Sequence, residues 1–300
     1  MDNGRKFPLI LNSFWLKIIA LLTMTIDHLG VFMEDNYAYD WMPPVGSICR
    51  IIGRFALPLF CFMIVEGAIH TRNFRKYSLQ LGIMASLISA ALIVTGYIPE
   101  LSYLRQQGVI FIDLLLGAVL VFCLRQKKWY LKLLALLPLA YGITSFIASS
   151  IESCRCYGKI LWFPFFIRTQ YGWYGILMCG LFYVAILLSK VVISYMSGQT
   201  GISKENYEDS DIQRHVINIL SAIMIVVATV LFYFIGQMIP PKYIYLDYIT
   251  QLYAMIAGAF ILLYNGRRGY NKSWFRYGCY LYYPLHIGII YLIFLVTGMI

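Results

Sequence analysis

The chain has 300 residues, of which 60% are hydrophobic and only 13% are charged, and its formal net charge at pH 7 is +10. Ordinary soluble domains are nearer half apolar and a quarter charged. The composition therefore excludes a soluble globular domain. Apolar runs of near-spanning length recur from end to end, and they predict an all-α, polytopic membrane helix bundle.

About nine transmembrane helices are predicted, with eight and ten as the neighbouring counts. The first span follows two basic residues, as in a signal peptide. It is long, however, and lacks a small-residue cleavage site, so it is predicted to be retained. The apolar segment 161–167 is too short to cross and could be re-entrant or interfacial, which could raise the count to ten. The approximate bounds of the nine predicted spans are 13–33, 46–69, 77–97, 108–124, 130–148, 172–195, 216–239, 244–264 and 276–297.

The basic residues predict the orientation of the chain. Most of the 24 lysine and arginine residues fall in alternate loops, which the positive-inside rule places in the cytoplasm. This asymmetry predicts a cytoplasmic N-terminus and an external C-terminus. It also explains the net charge without nucleic acid, for which the chain has no binding motif.

A polar, charged segment at 197–215 is predicted to be a flexible cytoplasmic linker. It divides the chain into a six-span membrane part, 1–196, and a three-span membrane part, 216–300. Neither part contains a segment long enough to form a separate soluble domain.

An acid and an imidazole lie side by side in the first span, at Asp27 and His28. A charged group in hydrocarbon costs roughly 2.5–3.5 kcal/mol on insertion scales, so both are predicted to face the protein interior or a wet cavity. Adjacent residues on a helix point about 100° apart. Two pairings therefore remain open for Asp27, a hydrogen bond to His28 or an ion pair with Arg54.

The second span carries Arg50 and Arg54, which are four residues apart and share a helix face. Pro58 cannot donate to the carbonyl of Arg54, which predicts a kink and a cavity wall at that turn. Arg54 is predicted to be buried, whereas Arg50 could equally snorkel to the interface. Asp113, in the fourth span, is a candidate partner for either arginine, because a buried guanidinium requires an acceptor; structural pairing explains it as well as catalysis.

The last span carries Tyr282 and His286 on one helix face, either side of a proline. A lone histidine in a helix is usually a satisfied core residue, but beside His28 and Arg54 it becomes a candidate site residue. The predicted depths place these groups in the outer half of the bundle or close to its midplane. A single cavity opening outward could hold the two histidines, Arg54 and Asp113.

No phosphate-binding loop, dinucleotide fingerprint, nucleophile elbow or metal-ligand cluster occurs in the sequence, and no metal is predicted. The seven cysteines form no metal pattern, although Cys154 and Cys156 could support a disulfide or redox chemistry. Histidine beside a carboxylate, arginine and tyrosine hydroxyls remain. This set suits general-base catalysis by His28, with an arginine or a tyrosine stabilising the oxyanion of an acyl-transfer intermediate.

Three stretches carry a family resemblance: Met24–His28 (MTIDH), Gly53–Phe62 (GRFALPLFCF) and Tyr283–His286 (YPLH). They resemble the TraX family of conjugation-associated membrane proteins, whose name reflects acetylation of a pilin N-terminus. That family is grouped with transmembrane acyltransferases similar to the lysosomal heparan glucosaminide N-acetyltransferase. The resemblance implies a multi-pass protein of the bacterial cell membrane that takes acetyl-CoA from the cytoplasm and modifies an external glycan or protein amine. It implies catalytic roles for His28, Asp27, Arg54 and, less directly, His286.

The other candidate residues are predicted from charge and position. Substrate-binding roles are predicted for Arg50, Asp113 and Tyr282. A second group of basic residues could bind the phosphates of coenzyme A, although topology signalling or snorkelling explains them more simply: Lys17, Arg267, Arg268 and Lys272.

Two other functions remain open at this point. The same buried polar groups would serve a proton-coupled transporter of small solutes. They would also serve a structural accessory subunit of an envelope or conjugation assembly. The expected partners are the lipid bilayer and an external acyl acceptor, and the sequence does not define the oligomeric state.

Overall fold

A computed structural model of the chain describes residues 9–34, 36, 39–96, 108–154, 162–208 and 211–299. Within these ranges the secondary structure is helical, and the only β pairing is an isolated bridge between Leu11 and Tyr264. The predicted all-α class is confirmed. The two basic residues ahead of the first span, Arg5 and Lys6, lie outside the described residues, as does Cys156.

Twelve α-helices and three short 3₁₀ helices make up the described chain. The α-helices are α1 Ser13–Glu34, α2 Met42–Gly53, α3 Ala56–His70, α4 Phe74–Gly96, α5 Ile110–Leu124, α6 Trp129–Leu133, α7 Leu136–Ser153, α8 Trp173–Thr200, α9 Lys204–Glu208, α10 Asp211–Met238, α11 Ala257–Leu262 and α12 Ser273–Val296. The 3₁₀ helices are Phe165–Ile167, Pro241–Tyr243 and Thr250–Ile256.

Seven stretches of the described chain are helical, long and apolar enough to cross a bilayer, which makes this a multi-pass membrane protein. Two of the predicted spans, 108–124 and 244–264, form shorter apolar helices, Ile110–Leu124 and Thr250–Leu262. A perpendicular crossing needs about 20 residues. The count of about nine is therefore not confirmed. The seven stretches are Ser13–Glu34, Met42–His70, Phe74–Gly96, Trp129–Ser153, Trp173–Thr200, Asp211–Met238 and Ser273–Val296.

The first and last long helices, α1 and α12, pack in parallel. Their contacts run in the same order along both helices: Phe14 with Phe275, Thr25 with Tyr282, His28 with His286, and Met33 with Ile290. Parallel helices enter a bilayer from the same side, so the number of crossings from α1 to α12 is odd. Seven and nine crossings satisfy this condition, whereas eight and ten do not. Which side is cytoplasmic stays a prediction.

The chain forms two compact units, each assembled from separate stretches. The first comprises residues 1–60, 184–229 and 250–300, and the second comprises 61–183 and 230–249. The division that the sequence predicts, at the linker 197–215, stays a prediction. That segment is largely helical where it is described, because α8 runs to Thr200, α9 follows, and α10 begins at Asp211.

In the first unit, α1 packs closely against α2 through small residues. A Cβ atom on Gly30 would lie 2.8 Å from the carbonyl oxygen of Gly46, closer than real Cβ atoms approach a neighbour. The absence of side chains at both positions therefore brings the two backbones together. This contact carries the residues of the candidate site.

The second unit is built around α5, which packs against α4 and α7. Its interior holds Phe62 and Phe182, whose rings meet edge to face at 5.5 Å. The segment 162–172 is buried at several positions and contains the short helix Phe165–Ile167.

Candidate functional site

The carboxylate of Asp27 holds two arginines in the first unit. Arg50 Nη1 donates to Asp27 Oδ1 at 2.8 Å, and Arg54 Nη2 donates to the same oxygen. The Asp27 and Arg54 side chains are buried, whereas 26% of the Arg50 side chain is exposed. Arg50 Nε also lies 3.5 Å from Oε2 of Glu34, a half-exposed residue at the end of α1. Of the pairings left open by the sequence, the structure has Asp27 with arginine; we call Asp27, Arg50 and Arg54 the ion cluster.

A helix break positions the two guanidinium groups. The helix α2 ends at Gly53 and α3 begins at Ala56, so the chain turns at Arg54, four residues before Pro58. Pro58 has no N–H to bond the Arg54 carbonyl, which accounts for the break. Within the turn, Arg54 Nε donates to the Arg50 carbonyl at 3.1 Å, which fixes the guanidinium near Asp27.

Gly53 is the residue of α2 that lies directly against Asp27. A Cβ atom at this position would overlap the Asp27 carboxylate. We expect Gly53→Ala to lower the free energy of unfolding by about 1–3 kcal/mol, the usual cost of overpacking. Gly82→Ala is the matched control, because a Cβ at Gly82 meets nothing within 4 Å and the change favours the helix. Reversible unfolding in detergent micelles measures both, and equal stability of the two variants would refute the close contact.

Two buried histidines lie beside the ion cluster: His28, which follows Asp27 on α1, and His286 on α12. His28 Nδ1 is 2.9 Å from His286 Nε2, and the two ring centroids are 4.8 Å apart. His286 Nδ1 lies 2.8 Å from the carbonyl oxygen of Tyr282, and the Tyr282 ring stacks on the His286 ring. The hydroxyl of Tyr282 hydrogen-bonds Thr25 Oγ1 at 2.7 Å, so Tyr282 is tied to α1. We call His28 and His286 the histidine pair.

The ion cluster and the histidine pair meet on consecutive residues of α1. Asp27 faces α2 and His28 faces α12, as expected for neighbours about 100° apart on a helix. The structure thus brings six of the seven predicted catalytic and substrate-binding residues around one turn of α1, all except Asp113. Thr25 and Glu34 are additional members that the sequence reasoning missed. Glu34 lies two helical turns beyond Asp27 on the same face, and this spacing could have revealed it.

Asp113 lies in the second unit and contacts backbone amides. Its carboxylate accepts the N–H of Gln170 at 2.7 Å and the N–H of Tyr171 at 3.1 Å. The sequence predicts Asp113 as a partner for Arg50 or Arg54. In the structure, Asp27 contacts both guanidinium groups, and the Asp113 carboxylate accepts these two amides.

Other side chains bond the same connecting segment, 162–172. Tyr141 donates its hydroxyl proton to the Ile167 carbonyl at 2.6 Å, and Ser145 Oγ accepts the N–H of Thr169 at 2.9 Å. Arg168 donates to the Phe163 carbonyl and pairs with Glu152. Protein side chains thereby satisfy several backbone groups of this non-helical segment, as buried loops in membranes require.

The basic residues predicted to bind coenzyme A are mostly exposed. Arg267, Arg268 and Lys272 lie in the loop before α12, whereas Lys17 is partly buried on α1. Backbone bonds from Leu11 to the Leu263 carbonyl and from Ser13 to the Arg267 carbonyl, both 2.9 Å, hold this loop beside the start of α1. The four basic residues therefore belong to the same end of the α1–α12 pair. Among the described residues, no group of three or more His, Cys, Asp or Glu could hold a metal ion.

The fold and this site define a multi-pass helical membrane protein with a buried ion cluster beside a histidine pair. The profile of the family described as TraX protein matches residues 13–196, more than half of the chain. The chain belongs to the TraX family, which confirms the resemblance found in the motifs. The motif Tyr283–His286 lies outside the matched residues.

Two curated relatives are similar to parts of the chain. One is the probable fimbrial assembly protein FimC, serogroup H1, of Dichelobacter nodosus, which is 30% identical over 152 residues, 48% of this chain and 56% of that protein. The other is the uncharacterized protein RP591 of Rickettsia prowazekii (strain Madrid E), 45% identical over 47 residues, 16% of this chain and 15% of that protein. The chain thus spans about half of the first relative's length and less of the second's. No solved structure matches the chain.

Proposed function

We propose that this protein is an integral membrane acyltransferase that transfers an acyl group, in the first instance acetyl, from cytoplasmic acyl-CoA to an acceptor amine or hydroxyl on the other side of the membrane. The observation that carries the proposal is the histidine pair, buried one residue from a buried ion cluster. Titratable groups are costly inside a membrane and mark functional sites there. The TraX resemblance favours acyl transfer as the chemistry.

Each residue has a defined role in the proposed reaction. His28 is the general base that takes the proton from the attacking acceptor. Arg50, with a quarter of its side chain exposed, is the guanidinium better placed to meet substrate and to stabilise an oxyanion. Asp27 holds both arginines in place, so it serves as a positioning residue.

The acyl-CoA phosphates would bind at the end of the α1–α12 pair where the basic loop lies. Arg267, Arg268 and Lys272 fit such a ligand because they are exposed cations beside the N-terminus of α12. Lys17 lies eleven residues before His28 on nearly the same face of α1, a rise of about 16 Å. An extended pantetheine arm can span that distance, so the phosphates would bind at this end while the thioester reaches the histidine pair.

The proposal is tested by labelled acyl transfer in membranes. Membranes containing the protein are incubated with radiolabelled acetyl-CoA and envelope acceptors, including fimbrial subunits in view of the FimC relative. We expect His28→Gln to lower the initial rate by about 10²–10⁴-fold, the usual contribution of a general base. His70→Gln is the control, because this exposed histidine ends α3 and bonds only within its own helix among the contacts described. No transfer to any acceptor by the well-folded wild-type protein would refute the acyltransferase.

Neutralising the basic loop should weaken the binding of acyl-CoA while sparing the chemical step. We expect Arg267→Ala with Arg268→Ala to raise KM for acetyl-CoA between about twofold and thirtyfold, because exposed charge pairs contribute about 0.2–1 kcal/mol each. Lys127→Ala with Lys128→Ala removes the same charge from an exposed loop of the second unit and should leave KM unchanged. Equal changes of KM in the two double variants would indicate that Arg267 and Arg268 are topology signals and do not bind acetyl-CoA.

A second candidate function is an accessory role in fimbrial or pilus assembly, favoured by the name of the D. nodosus relative, a probable fimbrial assembly protein. In that role the ion cluster would hold α1 against α2, and the histidine pair would hold α1 against α12. Assembly would then depend on both contacts and not on acetyl-CoA, so a wild-type protein that supports assembly while transferring no acyl group would favour this role.

A further inference from the structure

The ring of His286 is held in one orientation, and this fixes which of its nitrogens carries a proton. Its Nδ1 lies 2.8 Å from the carbonyl oxygen of Tyr282. A carbonyl oxygen can only accept, so Nδ1 must carry the hydrogen. A neutral imidazole has one N–H, and therefore Nε2 of His286 has a lone pair and accepts.

The proton position on His286 also fixes the proton position on His28. The nitrogen of His28 that meets His286 Nε2 is Nδ1, at 2.9 Å. Because His286 Nε2 accepts in this bond, His28 Nδ1 must donate. A neutral His28 then has no proton left for Nε2. Both histidines of the pair are thus in the Nδ1–H form, whereas a free neutral histidine side chain favours the Nε2–H form.

We infer that Nε2 of His28 is the basic atom of this site and that His286 is the positioning residue that keeps it unprotonated. The function assigned to that atom rests on the proposed acyl transfer, whereas the proton assignment rests on the two distances alone. In a Ser-His-Asp triad, an aspartate accepts from Nδ1–H of the catalytic histidine. Here the adjacent carboxylate, Asp27, is occupied by two guanidinium groups, and a second histidine accepts in its place.

Neighbouring side chains hold the histidine pair in this arrangement. The Tyr282 ring stacks on His286 with 11° between the ring planes, and the Tyr283 ring meets His286 edge on, at 76°. The Tyr282 hydroxyl is itself bonded to Thr25 of α1. A flip of the His286 ring would lose both nitrogen contacts, so packing and hydrogen bonding support the same orientation.

The pair can accept and return one proton during acyl transfer. The acceptor amine forms a C–N bond to the thioester carbonyl carbon, and its proton passes to His28 Nε2 as the Nδ1 proton moves to His286 Nε2. His286 is then the cation, bonded through Nδ1–H to Tyr282 and through Nε2–H to His28. When the C–S bond breaks, the thiolate takes the proton from His28 Nε2, and the proton on His286 returns to His28 Nδ1. The products are the acylated amine and free coenzyme A thiol, and the pair is restored.

The proton assignment can be measured without any substrate. The protein has four histidines. The double variant His70→Gln, His215→Gln, labelled with ¹⁵N-histidine and reconstituted in lipid, would show only the pair by solid-state NMR. We expect protonated Nδ1 and unprotonated Nε2 for both residues at neutral pH. A protonated Nε2 on neutral His28 would overturn the inference even if the protein transfers acyl groups.

The positioning role is tested by two substitutions of His286. His286→Leu removes the acceptor, and we expect the rate to fall by about 10²–10⁴-fold while His28 gains the Nε2–H form. His286→Gln can place its amide oxygen near the former Nε2, so it should keep a larger share of the rate and more of the Nδ1–H form.

If His286→Leu folds and keeps the wild-type rate, the positioning role is refuted. If it does not fold, the wild-type NMR result and the glutamine variant decide. Absence of acyl transfer in the wild type would refute the proposed function and leave the proton assignment to the NMR measurement.

Discussion

Asp27→Asn is expected to lower the free energy of unfolding by about 3–5 kcal/mol. The substitution keeps the shape of the side chain but removes the only negative charge among the three residues of the ion cluster. Arg54 is buried, and Arg50 is buried over most of its side chain. Removing one partner of a buried ion pair leaves uncompensated charge, and this penalty dominates the cost. Unfolding in mixed micelles, followed by tryptophan fluorescence, measures the difference from wild type.

A double-mutant cycle separates this penalty from ordinary packing loss. Adding Arg54→Gln to Asp27→Asn removes the more deeply buried cation, so the double variant should be more stable than Asp27→Asn alone. Arg50 then keeps Glu34 as a neighbour. Glu34→Gln is the surface control, expected to cost less than about 1 kcal/mol because nearly half of that side chain is exposed. Strictly additive effects of the two cluster substitutions would show that Asp27 and Arg54 do not stabilise each other.

The parts of the site predicted correctly are those set by local rules. Arg50 and Arg54 share a helix face at a spacing of four, and Pro58 breaks the helix at Arg54, because both features depend only on residues within one or two turns. The cost of charge in hydrocarbon predicted that Asp27 and His28 face the protein interior, and both are buried. Local sequence therefore identified the components of the site.

The partners of these residues depend on helix packing that the sequence does not specify. The sequence offers both Asp27 and Asp113 as carboxylates for the arginines. The pairing with Asp27 depends on Gly53, because a residue without a side chain lets α2 approach the Asp27 carboxylate. The contact between His28 and His286 requires α1 and α12 to be parallel neighbours, and their residues are 258 positions apart.

The count of about nine spans is not confirmed, because hydropathy alone does not measure helix length. The helix α5 begins only at Ile110, because Val109 is extended and its N–H donates to the Arg168 carbonyl at 2.8 Å. In the region predicted as 244–264, a 3₁₀ segment precedes α11, so an apolar run of spanning length is divided between two short helices. The polar segment 197–215 contains helix, although its composition predicts a flexible linker.

Asp113→Leu is expected to lower the free energy of unfolding by about 2–6 kcal/mol, since one buried and one partly buried backbone amide lose their acceptor at about 1–3 kcal/mol each. These amides, of Gln170 and Tyr171, have no water to replace the carboxylate if they lie at membrane depth. Asp113→Asn keeps one oxygen acceptor in the same place and should cost less than half as much. Reversible unfolding of both variants, together with proteolysis of the segment 162–172, measures the effect.

The same two variants decide between the roles considered for Asp113. If it anchors the connecting segment, Asp113→Asn should keep KM and kcat for acyl transfer near wild-type values, because one acceptor suffices to hold the backbone. If it binds substrate through its charge, Asp113→Asn should raise KM while the protein remains stable. A variant pair in which leucine and asparagine are equally well tolerated would refute the anchoring role. The amide contacts favour the first outcome, because a carboxylate that accepts two backbone N–H groups has less capacity left for a ligand.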